Sequence, residues 1–252
     1  MKAFWDSRAA LGPYAGTRDR TLKELEMRAI ADHVRDGMRV LDMGCGDGET
    51  ARYLAERFSV EIDAVDFSQE MLHVANISTP TAAFMNPTAF VNFYQCTLLD
   101  WRGGPYDLVY TERCIINLPD WPNQLLAISH LLSLVKPGGK YVMCESCADG
   151  LEKINEVRAT AGLPAIAPPE HNRYLRAGEV RRAFWRGDLP RYAVKDFTST
   201  YYYLSRVVNA WLAKQEGKEP DYEALVNHLA LELPPNLVSG MGQTRLWVFD
   251  VA

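Results

Sequence analysis

The chain has 252 residues, enough to bury a sizeable core, and reads as one large α/β domain with a lid rather than two small ones. Its 48% hydrophobic and 23% charged residues are ordinary for a soluble globular protein, which speaks against a disordered chain or a membrane protein, and no stretch is long and apolar enough to span a bilayer. A net charge of -5 argues against a nucleic-acid backbone as partner and directs attention to small molecules.

The start, Met1 to Arg8, runs straight into polar residues without the apolar core of a signal peptide, so a cytoplasmic chain is expected. Phe4 to Gly16 mixes aromatics, Gly and Pro too irregularly for a regular element, yet its aromatic surface must be covered by something. Thr17 or Asp19 offers a helix N-cap, and Leu22, Leu25, Met27, Ile30 and Val34 form a helical stripe that ends near Gly37. Residues 1–37 therefore make an N-terminal cap before the first strand.

Val40 and Leu41 continue a short apolar strand into Asp42-Met43-Gly44-Cys45-Gly46-Asp47-Gly48, after which a helix opens near Thr50. The glycines let the backbone turn tightly and approach a ligand, and the free amides of the helix start suit an anion or a hydroxyl. A nicotinamide loop would need glycine at position 49, which is Glu. Ala51, Leu54, Ala55 and Phe58 then make an amphipathic helix, and Val60 to Val65 returns as a strand ending in Asp66, completing a βαβ unit. A carboxylate at that tip is suited to accept both hydroxyls of a ribose.

The motif from Asp42 to Gly48 resembles the first motif of the class I S-adenosylmethionine (SAM) dependent methyltransferases. The resemblance implies a Rossmann-like, doubly wound sheet of seven strands, mostly parallel with the last antiparallel, and SAM as cofactor with S-adenosylhomocysteine as product. It makes Asp42, Gly44, Cys45 and Gly46 the cofactor loop and Asp66 the ribose ligand. Phe67 or Met71 would pack on adenine, and Tyr14, Thr17 or Lys23 of the cap would meet the methionine carboxylate.

Thr79 to Thr88 reads as a loop or broken helix, and Val91 to Cys96 as the next strand. Members of the family have an acidic residue just after this strand for the adenine amino group, whereas Thr97 stands there and the carboxylate comes at Asp100. Either the register is shifted to Asp100, or backbone groups of Thr97 and Leu98 hold the adenine. Tyr106 to Thr111 is a fourth strand, and Glu112-Arg113-Cys114-Ile115-Ile116-Asn117-Leu118 follows at the carboxyl edge, where open α/β sheets place ligands, so this segment is expected to line the site. Glu112 and Arg113 are expected at the cofactor and Asn117 at the acceptor. Leu125 to Leu134 forms a helix closed by Lys136-Pro137-Gly138-Gly139, a turn that again resembles the family, before a fifth strand from Lys140 to Cys144 with Glu145 at its end.

The resemblance fades after Ser146. Leu151 to Ala161 and Gly178 to Trp185 read as helices around a Pro-rich connection and the polar cluster His171-Asn172-Arg173-Tyr174. Tyr192 to Thr198 is a sixth strand, Tyr201 to Lys214 and Asp221 to Leu229 are helical, and Arg245 to Val251 is the last strand. Segments 147–190 and 199–243 are expected to be lid insertions, with Asn155, Arg158, His171, Asn172 and Tyr174 facing a small-molecule acceptor. Five scattered cysteines suit reduced, buried thiols, and Cys144 and Cys147 read as core, so no metal is expected.

The function expected is methyl transfer to an oxygen of a small polar acceptor, sugar-like compounds included. An N- or carboxyl-methyltransferase of a small metabolite and a SAM-binding module without chemistry are the alternatives. His171 ranks ahead of Glu112 and Glu145 as a catalytic group because its ordinary pKa suits a base near neutral pH. Alignment without a dedicated base is the main rival. Nothing in the sequence sets the oligomeric state.

Overall fold

The computed structural model describes residues 2–78, 86–184 and 191–252. Seven strands form one sheet in the order β3-β2-β1-β4-β5-β7-β6. They are β1 (Arg39–Met43), β2 (Glu61–Asp66), β3 (Phe90–Gln95), β4 (Tyr106–Glu112), β5 (Val135–Ser146), β6 (Arg191–Lys195) and β7 (Thr244–Asp250). Only β7 is antiparallel to its neighbours, and the other six strands share one direction. The inner strands β1 and β4 are buried along most of their length instead of at alternate residues, as in parallel sheets covered on both faces, and Leu41, Val109, Tyr141 and Trp247 are wholly buried.

Before β1 lie α1 (Lys2–Arg8), a 3-10 turn (Ala9–Tyr14) and α2 (Arg20–Ala31). The helices that follow are α3 (Glu49–Ala55), α4 (Gln69–Ser78), α5 (Trp121–Ser133), α6 (Ala148–Thr160), α7 (Ala177–Ala183), α8 (Ser199–Tyr202), α9 (Asn209–Gln215) and α10 (Leu225–His228). Strand order reverses between β1 and β4, so the carboxyl ends of β1, β2 and β4 frame a crevice where such sheets bind ligands. Among the described residues no helix is long and apolar enough to cross a membrane.

Several local expectations need correction. The segment Phe4 to Gly16 is not irregular, since α1 and the 3-10 turn occupy most of it. A helix of seven residues has little stability of its own, and this one is held by Asp6, which accepts from Ser68 Oγ at 2.6 Å, and by Trp5 packing on the cluster of Ala9, Ala15 and Met71. The Lys136-Pro137-Gly138-Gly139 turn does not precede β5 but lies within it, where the pairing with β4 slips between Tyr106 and Leu108. The run expected as one α-helix from Tyr201 contains a π-helical turn, Tyr203–Val208, between α8 and α9. The helix expected over Asp221 to Leu229 shrinks to α10 and a 3-10 turn, because Asn227 spends its amide on the carbonyls of Asp221 and Tyr222. Most of the loop expected at Thr79 to Thr88, and the end of the helix expected to reach Trp185, lie outside the described residues.

Candidate active site

A cavity of about 420 Å³ sits at the carboxyl ends of β1, β2 and β4. This is within the usual range of about 300 to 1,000 Å³ for small-ligand sites. Its lining takes Trp5 and Gly16 from the cap, Gly44 to Asp47 from the loop after β1, and Asp66, Phe67 and Met71 from the end of β2 and the start of α4. Thr97 and Leu98 follow β3, and Glu112 to Cys114 with Asn117 to Pro119 form the wall after β4. Lys23 of α2, Asp42 and Thr50 complete it.

The loop is built around left-handed glycines. Gly44 has φ 82°, and a Cβ there would lie 2.5 Å from Cys114 Sγ, so the wall after β4 packs directly on its backbone. Gly46 has φ 55°, and a Cβ there would meet only Met71 Cε, at 3.7 Å. Packing therefore leaves the space over Gly46 free for a ligand.

Asp66 is buried, and each of its oxygens accepts one backbone N–H: Ser68 at 2.8 Å on Oδ1 and Gly46 at 2.9 Å on Oδ2. Burial raises its pKa, while those amides pull it back. A carboxylate oxygen accepts more than one hydrogen bond, so each keeps capacity for a ligand hydroxyl.

A buried charge network lies against the loop and the wall. Lys23 Nζ donates to Thr50 Oγ1 at 2.7 Å and to Glu112 Oε1 at 2.6 Å, and the Thr50 hydroxyl donates to Glu112 Oε2 at 2.5 Å. Burial alone would raise the Glu112 pKa, but the Lys23 ammonium and the Arg113 guanidinium overcome it and hold the carboxyl well below its ordinary value. Arg113 adopts φ 51°, rare for a side-chain-bearing residue, and lies 3.3 Å from Glu26 and 3.6 Å from Glu112 while donating to the Gly16 carbonyl at 3.3 Å. Burial also pushes Asp42 up to about 7.

Glu145 has a different task from the one its position in the sequence suggests. Wholly buried, it accepts the N–H groups of Cys114 and Ile115 at 3.0 Å each and of Ile116 at 3.3 Å. It fixes the wall after β4 from behind and is absent from the cavity lining, and burial lifts its pKa to about 7 against the pull of those amides.

The cavity thus brings together Lys23, Asp42, Gly44, Cys45, Gly46, Asp66, Phe67, Met71, Thr97, Leu98, Glu112, Arg113 and Asn117. It does not include Tyr14, which is 49% exposed and gives its carbonyl to Arg8, or Thr17, whose hydroxyl oxygen accepts the Asp19 amide. Asp100 stands behind Thr97 and takes its hydroxyl. Apart from Asn117, the groups expected at the acceptor are likewise set back, most of them because they hold loops. Asn155 exchanges two hydrogen bonds with the backbone of Ile166, and Arg158 donates to the carbonyls of Pro164 and Arg206. The Asn172 amide donates to the Pro169 carbonyl, and the Tyr174 hydroxyl accepts from Gln243. His171 is one layer out, its ring 4.3 Å from Phe4 and 6.3 Å from Trp5 between centroids, and burial with the Arg8 charge lowers its pKa.

Cys114 and Leu118 line the cavity as part of the segment after β4 that the sequence places at the site, whereas Trp5, Gly16, Asp47, Thr50 and Pro119 were not singled out as site residues. Thr50 carried a signal, since its place in the first turn after the glycine loop turns it back toward the strand ends. Trp5 carried none beyond its aromatic character.

The residue set fits SAM: Asp66 for a ribose, an apolar slot of Phe67, Met71 and Leu98 for adenine, open space over Gly46, and paired charges at Lys23, Glu112 and Arg113 for an amino-acid end. The family model described as "Methyltransferase domain" matches residues 14–189. The chain is 27% identical over 114 residues to phosphoethanolamine N-methyltransferase 3 of Arabidopsis thaliana, a match covering 45% of this chain and 22% of that protein. It is 29% identical over 179 residues to trans-aconitate 2-methyltransferase of Azoarcus sp. (strain BH72), covering 65% and 64%. It spans only about a fifth to a quarter of the first curated relatives' own length. Among solved structures, N-methyltransferase NodS of Bradyrhizobium japonicum in complex with S-adenosylhomocysteine superposes with a TM-score of 0.58 at 11% identity, covering 99% of this chain and 97% of that one. Magnesium protoporphyrin IX methyltransferase of Synechocystis with bound S-adenosylhomocysteine gives 0.54 at 16%, covering 93% and 83%. At these identities the structural likeness shows the fold, and the family match carries the rest: this chain belongs to the class I SAM-dependent methyltransferases.

Proposed function

We propose that the chain transfers a methyl group from SAM to an oxygen of a small polar acceptor, sugar-like hydroxyl compounds included. The observation that carries the small-acceptor reading is the cavity itself: about 420 Å³, lined on one side by Trp5 of the cap, has to hold both cofactor and acceptor. Bound SAM supplies a methyl group on a positively charged sulfonium. Around it, Asp66 would accept the ribose hydroxyls, Phe67, Met71 and Leu98 would enclose the adenine, and Lys23, Glu112 and Arg113 would hold the amino-acid end. The cap keeps water from the transfer, and Asn117 on the wall would orient the acceptor.

His171 is the proposed base for a hydroxyl acceptor. Its lowered pKa favours the neutral imidazole, and from one side chain behind the lining, against Trp5, it would reach the acceptor hydroxyl through a bridging water. Glu112 is held ionised by Lys23 and Arg113, which makes it a weak base, and Glu145 is occupied by three amides. His171→Ala should lower turnover on a hydroxyl acceptor by about a hundredfold while cofactor affinity stays within a factor of about three. Unchanged turnover between about pH 6 and 9, a range bracketing the ordinary imidazole pKa, would leave alignment alone as the source of rate.

With a trans-aconitate 2-methyltransferase and a phosphoethanolamine N-methyltransferase among the relatives, a carboxylate and an amine are the alternative acceptors. Incubation with methyl-labelled SAM and a panel of hydroxyl, carboxylate and amine compounds tests the reading. O-methylated product supports it, product on amines alone replaces it with N-methylation, and cofactor binding without product across the panel points to a binding module.

A further inference from the structure

Asp19 lies outside the cavity, yet two distant parts of the chain, the start of α2 and the helical run from α8 into the π-helical turn, meet on it. Its Oδ1 accepts the Leu22 N–H at 3.1 Å, which caps α2, and also accepts the Tyr201 hydroxyl, while its Oδ2 accepts Arg206 at 2.6 Å. The side chain is only 3% exposed, so the carboxylate depends on these partners rather than on water. Arg206 sits in the π-helical turn, a distortion that appears frequently at functional positions in helices. Its guanidinium also lies 5.0 Å from the Tyr222 ring, and its carbonyl accepts from Arg158 of α6. Leu22 packs with Tyr201, Tyr202, Ile154 and Met241. The C-terminal part of the chain thus converges on the first turn of α2.

That helix is also the arm that reaches the cofactor. Lys23, four residues after Asp19, extends from it to Thr50 and Glu112 on the cavity lining, and Glu26 on the next turn lies against Arg113. A helix is stiff over two turns, so the orientation of its cap sets where the Lys23 ammonium stands. We propose that Asp19, Tyr201 and Arg206 are positioning residues for cofactor binding: they fix α2 so that Lys23 meets the amino-acid end of SAM, and thereby couple segment 199–243 to the cofactor cavity. The proposal rests on the reading of this cavity as the SAM site.

The experiment is a double-mutant cycle read by calorimetric titration with S-adenosylhomocysteine. Tyr201→Phe removes one hydroxyl from Asp19 and keeps the ring, so the variant folds. Lys23→Gln shortens the arm but retains polar atoms for Thr50 and Glu112. Tyr201→Phe should weaken S-adenosylhomocysteine binding by about three- to thirtyfold in the parent chain. In the Lys23→Gln background the same change should have almost no effect, because the group it positions is gone. Arg206→Met should behave like Tyr201→Phe, and Arg206→Lys should restore part of the affinity. A parent chain that binds S-adenosylhomocysteine, with Tyr201→Phe either without effect or equally damaging in both backgrounds, would overturn the proposal and leave Asp19 a structural cap. A parent chain that does not bind S-adenosylhomocysteine would overturn the cavity assignment, and the coupling proposal with it.

Discussion

Replacing Asp66 with Ala tests the cofactor site at the position where the geometry is most specific. In the parent chain each Asp66 oxygen has one backbone N–H, from Ser68 or Gly46, and capacity for one ribose hydroxyl. Losing two charge-assisted hydrogen bonds to a ligand removes about 2 to 4 kcal/mol after allowance for exchange with water, a rise in Kd of about 30- to 700-fold. The buried Ser68 amide and the half-buried Gly46 amide also lose their acceptor, so Tm should fall too. Calorimetric titration with S-adenosylhomocysteine measures the first effect and thermal unfolding the second. An analogue lacking both ribose hydroxyls separates them further, since it should bind the parent no better than Asp66→Ala once the carboxylate has nothing to hold. A variant that binds S-adenosylhomocysteine within about threefold of the parent while Tm falls would show that Asp66 braces the loop and does not hold the ribose.

Gly46→Val should abolish S-adenosylhomocysteine binding in a chain that still shows the parent's circular dichroism, because the new side chain occupies the space left open over the loop; intact binding would move the ligand elsewhere. Gly44→Ala should destabilise the chain by about 1 to 3 kcal/mol in urea unfolding, from a Cβ set against Cys114 Sγ and an unfavourable φ. The double variant with Cys114→Gly should recover only the steric part, and full recovery would mean that φ carries no penalty. For Glu145, the folded-state pKa of about 7 lies above the ordinary carboxyl value, so its stabilising contribution is complete below the unfolded pKa and is lost as pH rises through about 7. Parent Tm should therefore drop more steeply than that of Glu145→Gln between about pH 5 and 8, and parallel curves would mean that the carboxyl ionises freely in the fold.

The stretch from β1 to Asp66 was legible because its determinants are local: an apolar strand, three glycines at positive φ and an acid at the next strand tip, all within 28 residues. What escaped depended on partners distant in the chain. Glu145 finds its amides some thirty residues away, and nothing near it in sequence tells a wall brace from a group facing the acceptor. Asn155 and Arg158 look like acceptor ligands on a polar helix, yet their bonds go to the backbone of loops they pin. The helix α1 is too short to announce itself by periodicity, and its docking through Asp6 and Trp5 exists only in the folded chain. The π-helical turn leaves no recognised mark in the hydrophobic pattern.

The cap touches the cofactor groove through the residues that frame it. Asp6 holds Ser68, whose amide holds Asp66, and Gly16 at the far end of the same segment gives its carbonyl to Arg113, which pairs with Glu112. Lifting the N-terminal segment therefore disturbs Asp66 and the Glu112–Arg113 pair together, and strengthening either of those contacts resists its lifting. Under the proposed function, retention of the spent cofactor and adherence of the first sixteen residues would be one barrier, so a substitution such as Asp6→Ala, remote from any reacting atom, should raise the rate at which one cofactor molecule is exchanged for the next.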